Sequence, residues 1–181
     1  PTLLILTDIH MIKNFYFFTA TILEWKHILR LDKYKDIIIE SFKFIVNENR
    51  VRIFASVNMP NHLHTVWKIN EELESSDFQR DTLKYISQTM LRELKIYHPN
   101  MHKELYVGSK DREYQVWERN PLSVPLFTQK VVEQKISYIH NNPVNPRWNL
   151  VENQENYKYS SEKFYFKGIE EFGFLEHYMD V

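Results

Sequence analysis

The sequence contains no cysteine. Disulfide frameworks, thiolate metal sites and cysteine nucleophiles are thereby excluded, and any bound metal must be held by imidazole, carboxylate or amide oxygen. Glycine is nearly as scarce. Gly108, Gly168 and Gly173 are the only three, and none falls in a G-x-x-x-x-G-K or G-x-G-x-x-G loop, which argues against nucleotide hydrolysis and dinucleotide chemistry. Neither sign of charge is in excess. With 23 basic and 24 acidic residues the formal charge is −1, so any nucleic-acid-binding groove must be local. Long apolar runs are also missing. The opening Leu3-Leu4-Ile5-Leu6 is cut at once by Asp8 and His10, and no stretch approaches the roughly 18 apolar residues of a membrane span. The expectation is a soluble, unexported chain.

What is abundant is aromatic: 12 Phe, 11 Tyr and 4 Trp among 181 residues, 43% of which are hydrophobic. That suffices for a sizeable core, and the length suits one domain over 1–181. Phe15-Tyr16-Phe17-Phe18-Thr19-Ala20-Thr21-Ile22 is aromatic and β-branched, a central strand by composition. Ile37, Ile38, Phe42 and Ile45 recur at helical spacing and predict a helix over 33–48 with Asp32 as its cap. Residues 51–57 and 62–69 read as two strands. The turn-like Asn58-Met59-Pro60-Asn61 between them predicts an antiparallel hairpin.

Residues 71–80 are polar and read as a loop, after which Leu83, Ile86, Met90, Leu91 and Leu94 mark a helix from Arg80 to Tyr97, stopped by Pro99. Residues 98–127 show no clear period; a short strand over 113–119 and a loop between Pro121 and Pro125 are expected. Val132, Ile136 and Ile139 predict a helix over 128–141 that ends near Pro143. The tail is aromatic and weakly patterned. Strand, helix, strand, strand, helix, helix predicts an α+β fold with helices packed on an antiparallel sheet.

His62-Leu63-His64 places two imidazoles on one face of a strand with Leu63 on the other, close enough to share one metal. A bare H-x-H on a half-exposed strand is nonetheless commonplace, and two histidines cannot complete a structural zinc shell. Tyr138 and Asn142, four apart, share a helix face some 120° from the apolar stripe of Val132, Ile136 and Ile139. Taken singly, each fits an ordinary role, Tyr138 as a half-buried amphipathic tyrosine and Asn142 as a helix-end residue before proline.

Their order along the chain carries more. Met59-Pro60-Asn61-His62-Leu63-His64 is followed roughly seventy residues later by Tyr138-Ile139-His140-Asn141-Asn142-Pro143-Val144, and then by Asn156-Tyr157-Lys158-Tyr159-Ser160-Ser161 with Tyr165 beyond. This resembles the single-tyrosine HUH transposases, specifically the REP-associated tyrosine transposase branch, over a core of about 14–166. Residues 70–127 match only loosely. After Pro143-Val144 the chain reads Asn145-Pro146-Arg147-Trp148 where the branch more often has Arg-Ala-Gly.

The resemblance implies a ferredoxin-like HUH domain with His62 and His64 as metal ligands, Asn142 as a third, and Tyr138 as nucleophile. Two imidazoles and an amide oxygen suit Mg²⁺ or Mn²⁺. It implies a transposase and endonuclease of single-stranded, hairpin-forming DNA that works through a 5′-phosphotyrosine and a free 3′-OH, without ATP. Lys135, one helical turn before Tyr138, could favour the phenolate. A bacterial, cytoplasmic, nucleoid-associated location follows, with a homodimer open beside a monomer. A descendant that binds hairpin DNA without cutting is the alternative. Trp117, Arg119, Arg147, Trp148, Tyr157 and Tyr159 are candidates for stacking on unpaired bases, against core filling or solvated charge as their commoner roles.

Overall fold

A computed structural model of the chain describes residues 13–180. The apolar run at residues 3–6 lies outside them. In chain order the elements are β1 (Phe15–Thr21), α1 (Asp32–Asn47), β2 (Val51–Asn58), β3 (His62–Ile69), α2 (Ser75–Tyr97), α3 (Pro99–Glu104), β4 (Tyr106–Ser109), β5 (Arg112–Tyr114), β6 (Leu122–Leu126), α4 (Gln129–Asn141) and α5 (Glu162–Lys167). Strands β2-β3-β1-β6 form an antiparallel sheet in that order. β1 and β2 flank β3 and are joined through α1; β3 and β6 flank β1 and are joined through α2. Two interleaved split β-α-β units of this kind are the ferredoxin-like arrangement, so the α+β expectation holds and β1 is central. Strands β4 and β5 form a separate hairpin between α3 and β6.

The period of two along the strands divides the core between the two faces of the sheet. Phe18 and Ala20 of β1 and Leu63, Trp67 and Ile69 of β3 face α1 and α2, whose Tyr34, Ile38, Phe42, Phe78, Ile86, Met90 and Leu94 close one cluster. Phe15 and Phe17 of β1 and Val66 of β3 point the other way, against Val132, Ile136 and Ile139 of α4. His62 and His64 share the parity of Val66 and therefore lie on the α4 side.

β2 changes parity partway. A bulge between Ile53 and Ala55 lets Val51 and Ile53 face α1 and α2, while Phe54, Ala55 and Val57 join the α4 cluster. An inserted residue is what permits such a switch within one strand. β2 is also an edge strand, yet nearly all of it is buried. The C-terminal segment covers that edge: Asn58 N–H donates to Tyr159 O (2.9 Å), Ser161 N–H to Ser56 O (2.9 Å) and Glu176 N–H to Ile53 O (3.0 Å). Covering an edge satisfies backbone groups that would otherwise template association.

Several local expectations are corrected. α2 begins at Ser75, within the stretch read as a loop, because Phe78 and Gln79 bury one face of the added turn and Asp77 pairs with Arg80 at 2.6 Å. Asp32 lies in the first turn of α1 and does not cap it; Leu31 holds the cap position with no side-chain bond. The strand expected over 113–119 is short, ending at Tyr114 with an isolated bridge at Trp117. The Pro121–Pro125 loop contains β6 instead. Pro125 is tolerated there because β6 is an edge strand, where one missing N–H need not break a ladder. Among the described residues no helix is long and apolar enough to cross a membrane.

Trp67 is the centre of the α1/α2 cluster, fully buried, with Phe18 stacked at 4.9 Å and Phe78 and Phe42 at 5.5 and 5.9 Å between ring centroids. Trp67→Ala is expected to cost about 3–5 kcal/mol of stability, to be read from urea unfolding; a loss below about 1 kcal/mol would contradict this packing.

Candidate active site

The β1–β3 register opposes Thr19 to His64 and Thr21 to His62. The two imidazoles lie 4.7 Å apart between ring centroids, at 71° to one another, and both are buried. Each ring is held from behind. His62 Nδ1 donates to Asn61 Oδ1 at 2.7 Å, and the same amide donates through Nδ2 to Trp25 O at 3.1 Å. His64 Nδ1 is hydrogen-bonded to Thr19 Oγ1 at 2.7 Å. With Nδ1 of His62 carrying the proton toward an amide oxygen, its Nε2 is left as the lone-pair nitrogen, the tautomer in which Nε2 can bind a metal.

Burial keeps both rings neutral. It lowers His62 from 6.5 to about 4, with help from the Arg147 charge and against the opposing effect of a hydrogen bond that the protonated ring donates to the Asn142 side chain. It lowers His64 to about 3, helped by repulsion from His62 and Lys135. Desolvation disfavours the charged form of a base, which accounts for both directions.

α4 supplies the remaining groups. Thr128 caps it through Oγ1, accepting from Val131 N–H. Its apolar stripe sits on the sheet and turns Tyr138 toward the histidines: the Tyr138 ring is 5.3 Å from His64 and 5.8 Å edge-on to Phe17, with 50% of the residue exposed. Asn142, buried at the helix end, donates to Tyr138 O at 2.8 Å and also reaches the His62 ring. Lys135 Nζ lies 4.6 Å over Phe17 and 6.0 Å from the Tyr138 ring. The four residues singled out in the sequence, His62, His64, Tyr138 and Asn142, therefore meet on one face of the sheet.

No group of three His, Asp or Glu side chains that could hold a metal occurs among the described residues. The donor set at this place is two neutral imidazoles and one amide oxygen. Those chemistries fit a divalent cation that completes its shell with substrate and water oxygens, and do not make a closed structural site.

Other groups were not foreseen. Thr19 and Asn61, which orient the rings, look in sequence like any strand threonine and turn asparagine. His140, two residues past Tyr138, is buried on the inner side of α4 with Nδ1 against the Glu162 carboxylate and Nε2 2.8 Å from Ser161 Oγ. Ser161 Oγ in turn accepts Ser56 N–H at 3.0 Å. The order serine, imidazole, carboxylate is that of a hydrolase triad, but Ser161 is buried and engaged on both sides, so no substrate reaches it. Its consequence is mechanical: α4 is tied to the bulged strand β2. The spacing of Ser160-Ser161 in the tail was the only sequence signal of this.

The stacking candidates divide. Trp117 is buried at 6% exposure; Tyr159 is buried with Oη donating to Asp36 Oδ1 at 2.8 Å, and Tyr157 Oη donates to Asn58 O at 2.8 Å. Burial raises both phenols above the ordinary tyrosine range. These three build the fold. Trp148, by contrast, lies 5.5 Å from His62, with the Arg147 guanidinium 5.8 Å over its ring. Nothing places Arg119 at the site.

Two outcomes follow from this geometry. Above pH 6.5 both histidines are neutral folded or unfolded. Below it the unfolded chain takes up protons that the folded rings refuse until about pH 4 and 3, so stability falls as pH falls through that window. A His62→Gln/His64→Gln variant is expected to show a shallower decline of unfolding free energy between pH 6.5 and 4, measured by urea titration; an unchanged slope would contradict the buried neutral pair. Ser161→Ala, which strips partners from His140 and Ser56 N–H, is expected to cost about 1–3 kcal/mol in the same experiment.

No family model matches the chain, and no curated protein does. Solved structures do. A REP-associated tyrosine transposase bound to a REP hairpin aligns with probability 1.00 and a TM-score of 0.61, at 19% identity, over 92% of this chain and 88% of that one. A candidate transposase from Deinococcus radiodurans R1 aligns over 70% of this chain and 88% of that one at 16% identity, with a TM-score of 0.43. In its fold, this chain is similar to that REP-associated tyrosine transposase.

Proposed function

We propose that this protein is a DNA transposase and endonuclease that cleaves and rejoins single-stranded, hairpin-forming DNA, with Tyr138 as nucleophile and a divalent metal, Mg²⁺ or Mn²⁺, held by His62, His64 and Asn142. The observation that carries the reading is the meeting of residues far apart in sequence: the Tyr138 ring lies 5.3 Å from His64, which lies 4.7 Å from His62. The solved neighbour of the same fold is bound to a REP hairpin, which supports hairpin DNA as the partner here.

The phosphodiester is slow to react because the nucleophile is repelled and the leaving oxygen is poor. His62, His64 and Asn142 would hold the divalent metal, which would supply positive charge against that developing on the phosphate. Tyr138 is half exposed, so its phenol can meet a phosphate arriving from solvent while its ring edge stays fixed against Phe17 and His64. Lys135 adds positive charge beside that ring, where it can meet the incoming phosphate. As Oη bonds to phosphorus, the bond from phosphorus to the 3′ oxygen breaks; the phenol proton passes to water and the 3′ oxygen takes one up. The products are a 5′-phosphotyrosine and a free 3′-OH. Attack by a DNA 3′-OH on the phosphotyrosine reverses these steps, and because the bond energy is retained no ATP is needed.

Labelled hairpin oligonucleotides from the DNA flanking the gene, incubated with Mg²⁺ or Mn²⁺, are expected to yield a covalent protein–DNA adduct with the wild type and none with Tyr138→Phe. Hairpin binding without an adduct under every metal condition would favour a non-cutting DNA-binding protein. Metal binding carries its own signature. Because the rings stay neutral to about pH 4 and 3, Mn²⁺ affinity measured by calorimetry on Tyr138→Phe should hold nearly constant from pH 7.5 to about 5.5. Loss of affinity below about 6.5, as for ordinary surface histidines, would contradict the assignment.

A further inference from the structure

Just past β1 the backbone enters the left-handed region twice in succession, at Glu24 (φ 53°) and Trp25 (φ 57°). Neither residue is one of the types that visit that region readily, and such strain persists only where the surroundings over-determine it. They do so here. Trp25 N–H donates to Ile22 O at 2.9 Å, Leu23 N–H to Val116 O at 2.8 Å, Glu24 N–H to Glu118 Oε1, and Asn61 Nδ2 to Trp25 O. The amide that fixes Trp25 is therefore the one that orients the His62 ring. What the strained turn displays is an indole at 56% exposure.

That indole is one end of a ledge leading to the site. The Arg147 guanidinium lies 6.0 Å over the Trp25 ring and 5.8 Å over the Trp148 ring, and Trp148 lies 5.5 Å from His62 and 5.9 Å from His27. Arg147 makes no salt bridge among the described residues, and its charge is felt at His62. The nearby carboxylates are occupied: Glu24 pairs with Lys26, and Glu118 accepts Glu24 N–H. An exposed ring held rigidly beside a free guanidinium combines two features of single-strand recognition, a stacking platform for any base and a cation for the adjoining phosphate.

The geometry points to a nucleobase-stacking subsite: an unpaired base of the single strand next to the scissile phosphate lies on Trp25, and its backbone phosphate is met by Arg147. This rests on the single-stranded DNA reading above. The subsite recognises a π-face, so it tolerates base identity while fixing the strand's path over the histidine pair. It also gives a physical role to Asn145-Pro146-Arg147-Trp148, where this chain departs from the family it resembles.

The test uses the full chain in the Tyr138→Phe background with Mn²⁺, so that binding is read without cleavage. Fluorescein-labelled hairpins with a single-stranded flank are titrated, intact or with one abasic site at each flank position in turn. Trp25→Ala is expected to weaken the intact substrate roughly 5- to 100-fold and to leave unchanged the affinity for the one abasic substrate that lacks the stacked base. Trp25→Phe should recover most of the loss. Arg147→Gln should weaken every substrate and lower the salt dependence by about one phosphate contact. Wild-type-like affinity for Trp25→Ala, or an equal loss on intact and all abasic substrates, would overturn the subsite while leaving the DNA reading standing. Failure of the parent protein to bind any of these DNAs would overturn both.

Discussion

The structure depends first on the antiparallel pairing of β1 with β3. That register sets Thr19 opposite His64 and Thr21 opposite His62, and the alternation of a strand then decides everything placed on either face. Leu63 is committed to the α1/α2 cluster, His62 and His64 to the α4 side. A slip of one residue would exchange them, placing imidazoles in the larger apolar core and Leu63 against Tyr138. The anchoring of β3 on both sides, by β1 and β2, makes such a slip costly, because the fully buried Trp67 and Val66 would have to exchange environments with it.

Burial of two imidazoles side by side has an electrostatic consequence. Two protonated rings at 4.7 Å in a dry site would repel strongly, and each would lose its hydration. The protein resolves this by keeping both neutral and by giving each Nδ1 a hydrogen-bond partner, Asn61 Oδ1 and Thr19 Oγ1. The result is a pair of neutral imidazoles whose orientation is set before any ligand arrives. Lys135 and Arg147, close enough to lower the affinity of these rings for protons, are also positioned to attract an anionic substrate. The same charges thus favour neutral ligands and draw in phosphate.

Much of this was legible in the sequence wherever one period dominated a segment. Ile37, Ile38, Phe42 and Ile45, and later Val132, Ile136 and Ile139, specify helices because their stripes bury against a sheet, and the hydrophobic spacing reports that directly. The two-residue spacing of His62 and His64, with Leu63 between, likewise fixed their common face. What escaped notice depends on partners distant in sequence. β6 carries two prolines in its neighbourhood and forms only because the free edge of β1 accepts it. The first turn of α2 is polar in sequence yet buries Phe78 and Gln79. The parity switch at Phe54 has no sequence mark, since every residue from Ile53 to Val57 is suited to a buried strand of either orientation. His140, Ser161 and Glu162 converge only after the tail has folded back.

That convergence explains why a tail of weak pattern matters to a site formed elsewhere. α4 touches the sheet through a narrow stripe, and a stripe alone permits a helix to roll. The bulge at Phe54 and Ala55 widens the surface offered to α4, and Tyr165 Oη locks the segment after it by donating to Phe54 O at 2.9 Å. Ser161 then joins Ser56 N–H to His140, on the opposite side of the helix from Tyr138. Rolling α4 by even one residue's rotation, about 100°, would carry Tyr138 away from His64 and would also pull the buried His140 from its bonds to Ser161 and Glu162. An unsatisfied buried polar group costs more than the bond it forms is worth in water. The orientation of the exposed tyrosine is therefore enforced from the buried side of its own helix, by residues that never approach the reacting atoms.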